Sequence, residues 1–208
     1  TVLLFCINFF DLNLQSVELN FLEVWLDNQI FLSIFVLLCF LFIINGANLI
    51  DGFNGLLAIN LIIINSILLF VNLKYEHLEF SFLLTGQIII LISFLIFNFP
   101  KAKIFLGDSG AYLIGGLTAL NVIYTNNLNP SLSSFFFCIL LFYLFFEVFF
   151  SFFRKIYQKK SPMFPDDSHL HMLIYKKISN VFGPERSNYI NSIIITLIYL
   201  LLISPSFY

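Results

Sequence analysis

Three short stretches of this chain carry side chains that can do chemistry. The first reads Asn45-Gly-Ala-Asn48-Leu-Ile-Asp51-Gly-Phe-Asn54-Gly-Leu, with polar groups every third residue among Gly46, Gly52 and Gly55. The second, Phe105-Leu-Gly-Asp108-Ser-Gly110, sets one carboxylate between two glycines. The third runs Ser161-Pro-Met-Phe-Pro165-Asp-Asp-Ser-His169-Leu-His171-Met172. A carboxylate in such a loop suits a divalent cation, because Mg²⁺ is typically held by one or two carboxylates while substrate phosphates fill other positions. Asp108 is therefore the candidate metal ligand. Gly107 and Gly110 leave room for close approach, and Lys101 and Lys103 nearby make a diphosphate site reasonable. Residues three apart on a helix drift by about 60° per step, so Asn45, Asn48, Asp51 and Asn54 share a face only where the helix tightens or breaks. Gly52 and Gly55 suggest a break, and a broken helix end offers N–H groups to phosphate oxygens.

Each stretch also has a plain structural reading. Asparagines tie membrane helices together through hydrogen bonds. Asp is among the best N-caps, and a helix is expected to start near Ala111. A lone His-x-His in a loop is usually solvated, and zinc sites want more ligands than this. His169 and His171 point the same way only if that segment is extended.

The elements that position these residues are membrane helices. Of the 208 residues, 60% are hydrophobic and 11% charged, whereas soluble domains are about a quarter charged. The expectation is an all-α, polytopic helical bundle. The apolar runs at 29–44, 56–73, 82–97, 111–124, 132–153 and 189–203 predict six whole spans, each near the length a bilayer requires. Residues 1–10 read as the tail of an incomplete one. Residues 1–208 form a single transmembrane domain on this reading, with polar loops at about 45–55, 98–110 and 154–188. Lys101, Lys103, Arg154, Lys155, Lys159, Lys160, Lys176, Lys177 and Arg186 all alternate onto one side, and Lys74 onto the other. Under the positive-inside rule the three polar loops face the cytoplasm.

Glu147 lies inside the fifth run, two turns before Arg154. An ionisable residue within a span is either functional or turned into the bundle interior. Cys6, Cys39 and Cys138 have no paired spacing and read as buried, unreactive thiols. The 29 Phe residues read as lipid-facing and packing groups. Nothing in the chain points to nucleic acid.

Taken together, the three loops resemble the polyprenyl-phosphate N-acetylhexosamine-1-phosphate transferase family. The matching residues are Asn45-x-x-Asn48-Leu-Ile-Asp51-Gly-Phe-Asn54-Gly-Leu, Phe105-Leu-Gly-Asp108-Ser-Gly-Ala-Tyr-Leu-Ile-Gly115, and Ser161-Pro-x-x-Pro165-Asp-x-x-His169-Leu-His171. The resemblance implies transfer of a sugar-1-phosphate from a UDP-aminosugar to a polyprenyl phosphate at a bacterial cytoplasmic membrane, with release of UMP. It implies Mg²⁺, or Mn²⁺ in its place, held by Asp108. It implies contacts of Asp51 and Asn48 with the nucleotide-sugar, with Asn45, Asn54 and Lys103 as further substrate-binding candidates. His169 and His171 would bind phosphate, and a second copy of the chain is a candidate partner.

Three departures accompany the resemblance. The family carries an Asp-Asp pair in an earlier loop, and no such pair precedes Asn45. Together with the start at Thr1 inside an apolar run, this predicts an N-terminally truncated chain, the C-terminal two-thirds of a longer member, inactive alone. Asn54 stands where a second Asp is usual, and Met172 where a further His is common. The nearest rival is the peptidoglycan phospho-MurNAc-pentapeptide translocase. The rival of another class is a transporter or non-catalytic scaffold, whose ionisable residues would sit near the midplane in broken helices.

Overall fold

The computed structural model describes residues 20–159 and 168–204. Among these residues every regular element is helical: α1 (Asn20–Leu26), α2 (Gln29–Ile50), α3 (Leu56–Lys74), α4 (Leu78–Asn98), α5 (Gly107–Leu128), α6 (Ser134–Leu140), α7 (Phe142–Tyr157), α8 (Leu170–Phe182) and α9 (Pro184–Ile203). The protein is an all-α, polytopic helical membrane protein. Residues 1–10 and the lead-in to the histidine pair at 161–167 lie outside the described residues.

Helices α2, α3, α4 and α9 are each long and apolar enough to cross a membrane, and α6 with α7 adds one more if the bent pair counts as a single span. This revises the expected six. Helix α5 matches the others in length at 22 residues, but its Gly, Asn and Thr content keeps it outside that set. It is packed between α2 and α3. The fifth run is also not one straight helix, because α6 and α7 meet at 69° around Leu141. A bend inside a bilayer frees backbone carbonyls that lipid cannot satisfy. Here the buried hydroxyl of Tyr199, from α9, donates to Leu140 O at 2.6 Å.

Helix α2 lies against α5 and α7, while α3 lies against α4, α5 and α9, and α8 runs along α9. Two glycines set the closest approaches. A Cβ on Gly46 would sit 2.7 Å from the Leu144 carbonyl oxygen of α7, and one on Gly115 of α5 would sit 2.8 Å from the Ala47 Cβ. Small residues at helix contacts let backbones approach, and that dispersion packing is what lipid does not already supply. Polar side chains in the interior pair with one another. Asn121 donates to Asn65 and Gln87 at 2.9 and 2.7 Å, and Asn72 donates to Thr125 at 2.9 Å. The thiols depart from expectation: Cys138 is exposed and Cys39 only partly covered.

Candidate active site

Helix α2 continues through Asn45 and Asn48 and breaks only after Ile50, so the turn between α2 and α3 is the short segment 51–55. Asp51 closes α2 as its C-cap. Burial pushes its carboxyl up from the ordinary 3.8 to about 6, with the nearby negative charge of Asp108 adding to the effect. Gly55 then starts α3 with φ +78, where a Cβ would also strike the Phe99 ring at 2.7 Å. Only glycine meets both conditions at that position.

The turn is stapled to its neighbours by asparagines. Asn54 N–H donates to Asn188 Oδ1 at 2.8 Å, and Gly55 N–H to Asn98 Oδ1 at 2.6 Å. These two N–H groups of the turn are therefore taken by side chains and are not free for phosphate. Asn98 also donates to Ile104 O at 2.8 Å, and the Asn54 amide donates to Pro100 O at 2.9 Å. The first and second loops are thus tied together at one end of the bundle. The N–H of Lys103 donates to Phe97 O at 2.8 Å, closing the second loop, and its residue is exposed.

Asp108 lies in the first turn of α5, not at its cap. The cap position is Leu106, which makes no side-chain cap bond, and Asp108 is exposed. The capping role proposed from sequence therefore does not apply. One turn on, Tyr112 accepts a hydrogen bond from Asn48 at 3.1 Å, joining the end of α2 to the start of α5. Asn45 turns its amide back onto Leu41 O of its own helix at 2.6 Å.

The histidines form a second wall. His169 is the extended N-cap of α8 and His171 lies in its first turn, so the backbone changes direction between them. Their rings stack, with centroids 5.4 Å apart and planes within 4°. Both are buried, and both Nδ1 atoms meet the carboxylate of Glu147, at 3.1 Å for His169 and 3.0 Å for His171. Tyr143 donates to the same carboxylate at 3.2 Å. Glu147 is 0% exposed. Sequence alone flagged it as an ionisable residue inside an apolar run but could not assign it. Arg154, two turns further along α7, donates to Ser168 O and lies over the Phe150 ring at 4.7 Å. The histidine wall reaches the first loop through Phe53, whose ring packs edge-on against His171 at 5.5 Å and beside Tyr175 at 5.1 Å.

Asp51, Asp108, Asn48, Asn54 and the His169–His171 pair therefore gather at one end of the bundle, whereas the amide of Asn45 is bonded within its own helix. Among the described residues no three His, Cys, Asp or Glu side chains group as a metal cage. Asp51 and Asp108 nonetheless fit a hard divalent cation. They are two oxygen donors close enough for the charge of Asp108 to be felt at Asp51, and Mg²⁺ needs only one or two carboxylates beside substrate phosphates.

Comparison with known proteins bears on this arrangement. Residues 1–126 match the family described as glycosyl transferase family 4, a region that holds Asp51 and Asp108 and ends before α6. The chain is similar to an undecaprenyl-phosphate alpha-N-acetylglucosaminyl 1-phosphate transferase of Thermotoga maritima, at 33% identity over 70% of this chain and 44% of the relative. It is also similar to phospho-N-acetylmuramoyl-pentapeptide-transferases of Leuconostoc citreum, at 39% identity over 38% of this chain and 25% of the relative, and of Dictyoglomus turgidum, at 32% over 57% and 37%. The chain spans less than half the length of each of these relatives. With the two acidic loops inside the matched region and joined at one end of a helical membrane bundle, the chain belongs to glycosyl transferase family 4.

Proposed function

We propose that this chain forms the transferase domain, residues 1–208, of an enzyme that moves N-acetylhexosamine-1-phosphate from a UDP-sugar onto a polyprenyl phosphate such as undecaprenyl phosphate. The observation that carries the reading is the gathering of Asp51, Asp108 and the histidine pair at one bundle end. A lipid phosphate and a water-soluble donor can meet only at such a surface. In the reaction a lipid-phosphate oxygen attacks the β-phosphorus of the donor, the bond between the two phosphates breaks, and UMP leaves. Such transfers need charge neutralisation and in-line positioning more than covalent help from the protein.

Asp108, with Asp51 beside it, would hold Mg²⁺ or Mn²⁺. The bound ion would neutralise phosphate charge. Asp51 and Asn48 face the donor, His169 and His171 contact phosphate, and Lys103 lies on the exposed loop where anionic groups approach. The basic residues of the same loops favour a bacterial cytoplasmic membrane location with this end toward the cytoplasm. A homodimer is a compatible assembly. The relatives' names support N-acetylglucosamine as the transferred sugar, with the muramoyl-pentapeptide donor as the second reading. The transporter reading loses its one support, since Glu147 is engaged by the histidines at the bundle end.

The test is Asp108→Asn in the longest polypeptide that carries this chain. Mg²⁺-dependent UMP release from UDP-GlcNAc and undecaprenyl phosphate is expected to be lost, with membrane insertion intact; retained release removes Asp108 as metal ligand. Turnover of UDP-MurNAc-pentapeptide instead would establish the second reading. The 208-residue chain alone is expected to be inactive, because it holds no acidic pair ahead of Asn45.

A further inference from the structure

Glu147 and Arg154 grip one short segment from the same helix face. Arg154 fixes Ser168 through its carbonyl, while the two carboxylate oxygens of Glu147 each meet one imidazole, Oε2 the Nδ1 of His169 and Oε1 the Nδ1 of His171. An ionised carboxylate only accepts hydrogen bonds, so each ring that meets it through Nδ1 must carry its proton there. Each ring then turns its Nε2 away from α7. For His171 the direction is fixed by a neighbour: its Nε2 is 3.7 Å from the place a Cβ on Gly52 would occupy, and no closer atom crowds that place. Gly52 is exposed and follows Asp51 directly. The Nε2 of a ring only 1% exposed therefore lies against the first loop at Gly52.

We propose that Glu147 is the positioning residue of the histidine pair, setting both Nδ1–H groups toward its carboxylate and so directing His171 Nε2 to the first loop at Gly52, where the sugar-phosphate donor would bind. The proposal rests on the transfer reading above for its ligand but not for its geometry. Outer partners of this kind fix the tautomer and orientation of a working histidine. Glu147 acts through the rings and touches no substrate. Helix α7 thereby becomes part of the site although it lies beyond the matched residues 1–126.

Glu147→Gln is the sharpest variant because it keeps the shape and swaps one acceptor for a donor. An amide can accept Nδ1–H from one ring only, and its NH₂ demands an acceptor, so the other ring must move its proton to Nε2. ¹⁵N spectra of the histidine-labelled full chain in nanodiscs should show both Nδ1 atoms protonated in the wild type and one of the two deprotonated in Glu147→Gln. In the longest polypeptide, transfer should fall at least tenfold in kcat with a smaller change in donor KM. Gly52→Ala supplies the second arm, since the added methyl makes only ordinary contact at 3.7 Å. It should leave the ¹⁵N pattern unchanged, which separates the loss of the Glu147 carboxylate from a general disturbance of the loop. Two protonated Nδ1 atoms in Glu147→Gln, or a deprotonated Nδ1 in the wild type, overturn the positioning role. The same proton shift in Gly52→Ala as in Glu147→Gln also overturns it. The predicted spectra without any sugar-phosphate transfer by the wild type would leave the positioning intact and remove the transfer reading.

Discussion

Asp51 costs the fold more as pH rises. Its carboxyl pKa is raised from 3.8 to about 6 by burial and then by Asp108. A raised acid pKa means that the folded state holds the proton more tightly than the unfolded chain does. The associated stability is fully present below pH ~4 and is lost as pH climbs through ~6. In metal-free buffer, Asp51→Asn should therefore raise the melting temperature at pH 7.5 and leave it unchanged at pH 4; equal shifts at both pH values would contradict the assignment. The side chain is half-buried, so solvent screening keeps the gain to a few degrees. Asn54 is explained at the same scale. Its amide donates to Pro100 O, and an aspartate there would set a carboxylate against a carbonyl oxygen. Residue type, the shared side of the three loops and the family resemblance together single out Asp51, Asp108, His169 and His171 as candidates. The bonds from Asn54 to Asn188, Gly55 to Asn98 and His169 to Glu147 join residues 134, 43 and 22 positions apart, and no local spacing announces them.

At the scale of elements, the apolar runs marked where helices lie but misjudged two ends. The first run ends at Ile44, yet the helix continues to Ile50, with Asn45 bonded back to Leu41 O and Gly46 seating α2 against α7, and the break falls at the turn that holds Gly52 and Gly55. The bend at Leu141 has no Pro or Gly to signal it within residues 132–153. It depends on Tyr199, far along the chain, which meets the Leu140 carbonyl. Tyr199→Phe should leave that buried acceptor without its partner, at a cost of about 1–3 kcal/mol. Thermal unfolding in nanodiscs should show the loss, while Tyr124→Phe, at an exposed position, should show none. An unchanged melting point for Tyr199→Phe would mean the bend is held by packing alone.

For the whole molecule, the distribution of polar groups separates two jobs. Asn65, Gln87, Asn72, Asn121 and Thr125 bond to one another inside the bundle and tie α3, α4 and α5 together. Asp51, Asp108, His169 and His171 gather at one end instead. That end is also cross-tied, through Asn98 and Asn54. Short glycine-rich turns at a membrane surface ordinarily trade their amide protons with water quickly. Here the Asn54 and Gly55 amides are each locked onto a distant side chain. Their deuterium uptake should be as slow as that of the spans themselves, and Asn98→Ala should release Gly55 while sparing Asn54. The loop proposed to admit a diphosphate would then be among the stiffest of the described pieces of the protein.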